Sequence, residues 1–223
     1  MPKGKHSTET LTTRQYNVVL RAAENESGVI EGTPIVFNQK TRIQDWAGEY
    51  DEIIDRKALD NADLRDVRLF VNHDINKITL ARSRKGNENS TMSFTIDDEG
   101  LHIKAKLDTE NNSEARALHS AVKRGDMDGM SFMFRIKSDE WRDVDSDVPT
   151  RIVKEISIVH EVSVVNFPAY PQTSVNARSG SQESDTSPLE EARKAFSQES
   201  DRRKKEALEV EKLKYQFLLG GKK

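Results

Sequence analysis

The sequence predicts a mainly β fold with a few helices, α+β in class, followed by a helical tail, and three observations carry that prediction. Short runs rich in β-branched and aromatic residues recur along the middle of the chain, bounded by Gly, Asp or Asn. Helical periodicity is clear in only one segment among them. After residue 177 the apolar runs stop, and a Ser-rich stretch gives way to a long charged segment.

In order along the chain, residues 1–13 are polar and basic with nothing to bury, and read as a flexible leader. From 14 to 177 the runs "YNVVLRA", "GTPIVFN", "VRLFVN", "STMSFTID", "GLHIKAKLD", "MSFMFRIKS" and "RIVKEISIVHEVSVV" read as strands, enough for a barrel or sandwich. The segment "NSEARALHSAVKRGDM" reads as a helix. Ser113 can cap it, Ala115, Leu118, Ala121 and Val122 lie at helical spacing, and Gly125 supplies a left-handed stop. A weaker helix is expected over residues 55–64, "DRKALDNADL". Residues 178–186 form a linker. Residues 187–223 read as a charged helix, with Ser187 and Glu190 fitting a capping box and Pro188 in the first turn. Its apolar stripes (Leu189, Ala192, Phe196; then Leu208, Leu213 and Phe217) are too narrow to fold alone, so it needs a partner or stays solvated.

Composition narrows the functional classes. With 223 residues the chain has room for one domain and an appendage. A net charge of −3 gives no electrostatic case for nucleic acid. The absence of cysteine removes disulfides, thiolate metal sites and cysteine nucleophiles. No run is long and apolar enough for a membrane span, and "MPKGKHSTET" lacks a signal-peptide core. A protein acting in the cytoplasm is expected. The five histidines (His6, His73, His102, His119, His160) show no metal-ligand spacing, and no phosphate-binding glycine loop precedes a helix. Neither metal nor cofactor is expected.

What remains is hydrolysis by an activated hydroxyl, which needs a Ser, an imidazole base and a group to orient that base. In "RLFVNHDINK" an apolar run stops at Asn72-His73-Asp74, setting an imidazole at a strand end. In "GDMDGMSFMFRIK", period-2 alternation puts Met130, Phe132, Phe134 and Ile136 on a core face and Ser131, Met133 and Arg135 on the other. Gly125 and Gly129 precede Ser131 and allow a tight backbone. In "RIVKEISIVHEVSVVNFPAYP", strict alternation sets Ile152, Ile156, Ile158, His160, Val162 and Val164 on one face and Glu155, Ser157, Glu161 and Ser163 on the other. Each stretch alone also reads as a polar residue on a solvated strand.

Together, "VNHD" at a strand end, "GMSFMF" after a helix, and "EVSVVNFPAYP" resemble the prohead protease family of tailed bacteriophages, itself similar to the herpesvirus capsid-maturation protease. The resemblance spans roughly residues 14–177. It implies a herpesvirus-protease-like β-barrel core with His73 as base, Ser131 as nucleophile and Glu161 as third member. The herpesvirus relatives use a second histidine there, which keeps His160 as an alternative, and Asp74 is another. Met133 stands where a Gly is expected two residues past the nucleophile, and Ala81 where one is expected after "NHD"; both bear on the oxyanion-binding backbone. The implied function is a maturation serine endopeptidase acting inside the assembling procapsid, in the host cytoplasm. Its implied partners are the scaffold protein, the scaffold-like arm of the major capsid protein, and the chain itself by autocleavage. Homo-oligomerisation is left open, and the tail would be a scaffold-like or targeting helix. The alternative is a non-catalytic assembly protein carrying a protease-like domain.

Overall fold

The computed structural model describes residues 10–16, 20–24, 26–84, 86–166 and 187–220. In chain order its elements are β1 (Thr10–Tyr16), β2 (Leu20–Ala22), β3 (Val29–Val36), β4 (Thr41–Asp45), β5 (Gly48–Ile54), β6 (Asp66–Val71), β7 (Ala81–Arg84), β8 (Met92–Ile96), β9 (Gly100–Lys106), α1 (Ser113–Arg124), β10 (Gly129–Arg142), β11 (Thr150–Val165) and α2 (Pro188–Gly220). The fold is mainly β.

A seven-stranded sheet runs β1-β10-β11-β5-β4, with β6 pairing β11 and β7 pairing β6; a four-stranded sheet runs β2-β3-β9-β8. Among the described residues neither ladder closes on itself, so the barrel implied by the resemblance is open here. The two sheets join through single bonds near β7 and β8, where Thr91 N–H donates to Arg82 O (2.9 Å) and Lys106 N–H to Thr91 O (2.8 Å). One core fills the space between them. Ile30, Ile35, Leu101 and Ile103 face Met130, Phe132, Phe134, Val162 and Val164, and α1 adds Ala115, Leu118 and Val122. Phe132 and Phe134 stack at 4.4 Å between ring centroids.

β11 organises the site end of the molecule. Its Thr150–Val153 pairs in parallel with Asp51–Ile54 of β5, and its Glu161–Val164 in parallel with Arg68–Val71 of β6. β5 and β6 therefore lie end to end along one side of β11. The chain between them, expected as a helix over 55–64, is instead a run of tight turns: Ala58 N–H donates to Asp55 O, Asp60 N–H to Lys57 O and Ala62 N–H to Leu59 O. The reason is competition for backbone groups. The Ala58 carbonyl accepts from Ile156 N–H of β11, and the Asp55 side chain takes Lys57 N–H, so helical partners are already engaged.

The phase of β11 also departs from strict alternation. Glu161 pairs with Met133 but Val159 pairs with Phe134, which leaves His160 as the extra residue of a bulge. Further register shifts lie toward Ser138. Val153, Ile156, Val159, Val162 and Val164 are its fully buried apolar residues, while Ile158 is only partly buried. The bulge lets Val159 enter the core while Glu161, two residues on, faces the other way.

Three boundaries differ from expectation. Thr10–Thr13, read as leader, lie within β1 and pair with Met133–Ile136 of β10. The hairpin β4–β5 and the short β7 carry too many charges for their alternation to read as strand. At α1 the cap is Asn112, not Ser113: its side chain accepts from Glu114 N–H and Ala115 N–H. Gly125 closes that helix at φ 77°, as expected. The linker at 178–186 lies outside the described residues. At α2, Ser187 Oγ accepts from Leu189 N–H (3.1 Å) and Glu190 N–H (3.3 Å) and donates to Asp45 Oδ2 (2.5 Å). Leu189 is buried against Ile43 and Tyr50. Beyond that first contact the helix leaves the body, and Leu208, Leu213 and Phe217 are more than half exposed.

Candidate active site

Ser131, His73 and Glu161 come from three neighbouring strands. Ser131 sits near the start of β10 directly opposite Ser163 of β11, and Glu161 is on the same face one step along, opposite Met133. β6 ends beside them: Asn72 N–H continues its ladder by donating to Val164 O (2.9 Å), and the chain then turns back.

That turn is unusual. Asn72 (φ 51°) and His73 (φ 59°) are consecutive non-glycine residues in the left-handed region. Such a conformation costs on the order of 1–3 kcal/mol per residue and persists only where surroundings enforce it. Asn tolerates it best, and here Asn72 Oδ1 accepts Asn166 N–H (3.1 Å), while His73 N–H donates to Ser163 Oγ (3.1 Å). The strand end is thus pinned by three bonds to β11 and its following residue, and the imidazole is aimed across the sheet.

The result is a continuous chain. His73 Nε2 lies 2.7 Å from Ser131 Oγ, and His73 Nδ1 lies 2.5 Å from Glu161 Oε1. With Nδ1–H donating to the carboxylate, Nε2 is the nitrogen left to take a proton from the hydroxyl. Ser163 Oγ donates to Glu161 Oε2 at 2.6 Å. One hydroxyl therefore holds both the carboxylate and the histidine backbone. Sequence reasoning set Ser163 on the face of Glu161 without giving it a role; only the return of β6 brings His73 onto it. Glu161 is 1% exposed and Ser131 has no exposed surface, whereas the His73 side chain is 23% exposed.

The two alternatives for the third position lie apart from the Ser131–His73 pair. Asp74 Oδ1 accepts Asn76 N–H (3.2 Å) and shapes the turn. His160 sits in the bulge of β11. Burial, and then the nearby Arg135, hold its imidazole below the ordinary histidine value, and its Nε2 has no partner among the described residues.

A second buried polar cluster lies on the opposite side of the same strands. Arg14 of β1 donates from Nε to Glu52 Oε1 (2.5 Å) and from Nη2 to Glu52 Oε2 (3.0 Å) and the Tyr50 hydroxyl (3.2 Å). Arg151 adds a longer contact to Glu52 (3.4 Å) and pairs with Asp139 (2.7 Å). Burial pushes the Glu52 carboxyl up, but Arg14 and then Arg151 outweigh it and hold the group below the usual carboxylate range. Among the described residues, no three His, Asp or Glu side chains gather as metal ligands, and no helix is long and apolar enough to cross a membrane.

A hydroxyl, an imidazole and a buried carboxylate in this order can carry out acyl transfer: the base takes the hydroxyl proton, and the carboxylate fixes the tautomer and stabilises the cation that forms.

The prohead protease of Enterobacteria phage HK97 is 30% identical to this chain over 158 residues, covering 69% of this chain. The chain spans 61% of that relative's length. No solved structure matches. A family model described as Caudovirus prohead serine protease matches residues 15–187, a range that holds all three strands of the site. The chain belongs to the Caudovirus prohead serine protease family.

Proposed function

We propose that the chain is a capsid-maturation serine endopeptidase with Ser131 as nucleophile, His73 as general base and acid, and Glu161 as the orienting carboxylate. The observation that carries this reading is the unbroken Ser131–His73–Glu161 chain, at 2.7 and 2.5 Å, assembled from residues up to 88 apart in a member of that family.

The chemistry follows from the protons. As Ser131 Oγ attacks a peptide carbonyl carbon, its proton passes to His73 Nε2. The imidazolium is held by Nδ1–H donating to Glu161, whose second oxygen is occupied by Ser163. The C–N bond breaks as His73 returns that proton to the leaving amine. Water, deprotonated by the same nitrogen, then attacks the Ser131 ester and releases the acid. The two strained residues before the turn keep Nε2 in register without reorganisation at each step.

The substrates in this reading are the scaffold protein or the scaffold-like arm of the major capsid protein within the procapsid, and the chain itself. α2 touches the body through its first turns only, and its exposed length supports a targeting or scaffold-like role. Intact-mass analysis over time of the wild type beside Ser131→Ala, each expressed with and without the capsid protein, tests the reading. Discrete cuts in the wild type, absent from the variant, are expected. Identical patterns in both chains under both conditions overturn it and favour a non-catalytic assembly protein.

A further inference from the structure

Ser131 has no exposed surface, so a peptide cannot reach it as the chain stands. On one flank lies β11, deep in the sheet. On the other lies β1, the terminal strand of that sheet, antiparallel to β10 with Gln15 opposite Ser131 and Thr13 opposite Met133. β1 also reaches the reacting atom: Ser131 Oγ donates to the Arg14 carbonyl oxygen at 2.8 Å. A hydroxyl has one proton, and while Arg14 O holds it, His73 Nε2 cannot receive it. The Arg14 side chain meanwhile occupies a closed polar site. It is 6% exposed, with its Nε and Nη2 donors used by the fully buried Glu52 and the Tyr50 hydroxyl.

An extended backbone laid on a strand edge, its carbonyl at the nucleophile and its side chain in a carboxylate-floored site, is how a bound peptide would lie. Residues 10–14 also precede the range matched by the family model. We propose that the β10 edge receives extended peptides carrying Arg or Lys immediately before the attacked bond. Glu52 is the selecting carboxylate, and β1 is a tethered, non-productive occupant that must leave before a substrate enters. Glu52 suits this role because Arg151 stays beside it at 3.4 Å while leaving the bidentate position to the incoming side chain; an arginine fills that position with two parallel bonds, a lysine with one. This rests on Ser131 being the nucleophile.

The test has a binding arm and a cleavage arm. In a Ser131→Ala chain, Arg14→Ala and Arg14→Lys are followed by hydrogen–deuterium exchange. Should Arg14→Ala not fold, Arg14→Lys, which keeps the charge but replaces two bonds to Glu52 by one, reads an opening of the same sign. Exchange at residues 10–16 and 129–136 is expected to rise roughly tenfold or more. Acetyl-Thr-Leu-Thr-Thr-Arg-amide is expected to restore protection at 129–136, and the same peptide ending in Ala is not. In the Ser131-intact Arg14→Lys chain, a fluorogenic peptide Thr-Leu-Thr-Thr-Arg-Gln-Tyr is expected to be cut after Arg. At least tenfold lower kcat/KM is expected for Ala in place of Arg, and that preference is lost in Glu52→Gln. Equal protection by both peptides, or no opening of β1, overturns the proposal. So does a chain that cuts capsid protein but not the Arg peptide, since β1 is then a structural strand. A chain that cuts neither refutes the protease reading and with it the proposal; the binding arm, which needs no turnover, tells the two failures apart.

Discussion

Two glutamates are almost fully buried in the same sheet, and their partners make them different kinds of group. Glu52 (0% exposed) faces two arginines, which carry charge at any working pH, so its partners have no proton to pass on. Glu161 (1% exposed) faces a histidine and a serine, whose protons can move. The first arrangement can hold; the second can also cycle. Burial alone does not mark a catalytic carboxylate, and what distinguishes one is a partner that can take up and give back a proton and in turn touches a hydroxyl.

The contrast can be broken from either side. The largest effects belong to the cycling cluster. Ser131→Ala or His73→Ala is expected to lower proteolysis by on the order of 10⁵ to 10⁶, with an unchanged thermal melt, measured as processed capsid protein per unit time. Glu161→Gln leaves the shape but permits the wrong tautomer, and a loss on the order of 10³ to 10⁴ in kcat is expected. If Glu161→Gln were instead to lower only the melting temperature, Glu161 would be a holding group like Glu52. Glu52→Gln should show the opposite pattern at its own level: the buried Arg14 guanidinium loses its counter-charge, costing about 3–5 kcal/mol, read in a denaturant melt.

Smaller effects sharpen the comparison. Ser163→Ala removes one bond to Glu161 and one to the His73 backbone. A stability loss of about 1 kcal/mol is expected, with kcat falling more than that loss explains and KM unchanged. His160 gives the smallest. Its imidazole is held below its ordinary value of about 6.5 by burial and Arg135, so the unfolded chain binds its proton more readily than the folded one. Its contribution is therefore present above about pH 6.5 and is lost as pH falls through that range. His160→Gln should flatten stability between pH 7 and pH 5.5 and leave the pH dependence of proteolysis in place, whereas a shifted rate profile would return His160 to the site.

Much of this was legible in the chain. The core face of β10, alternating Met130, Phe132, Phe134 and Ile136, follows from a period of two with large apolar residues, and α1 from its spacing and its left-handed Gly125. These are local properties. The abrupt stop at Asn72-His73-Asp74 was legible as a strand end as well, because Asn and His enter the left-handed region more readily than the apolar residues before them. Where reasoning from the chain went astray, non-local partners had taken over backbone groups or shifted phase. Residues 56–61 turn rather than coil because β11 claims the Ala58 carbonyl. The leader reading missed β1 because an edge strand of Thr and Arg has no apolar alternation to show, its stability coming from β10 and Glu52.

The sequence by itself determined that the chain is mainly β, that a serine, a histidine and a glutamate of suitable chemistry lie at strand positions, and that neither cysteine nor a metal-ligand spacing competes with them. The tertiary structure alone decided which atoms meet. A one-residue bulge at His160 brings Val159 into the core while Glu161 keeps the face of Ser131, and β6 laid in parallel on β11 delivers His73 onto Ser163. β1, closing the sheet edge, puts a carbonyl on Ser131 Oγ. Register and edge pairing are set by contacts between residues far apart in sequence, and side-chain alternation within one strand carries no record of its neighbours.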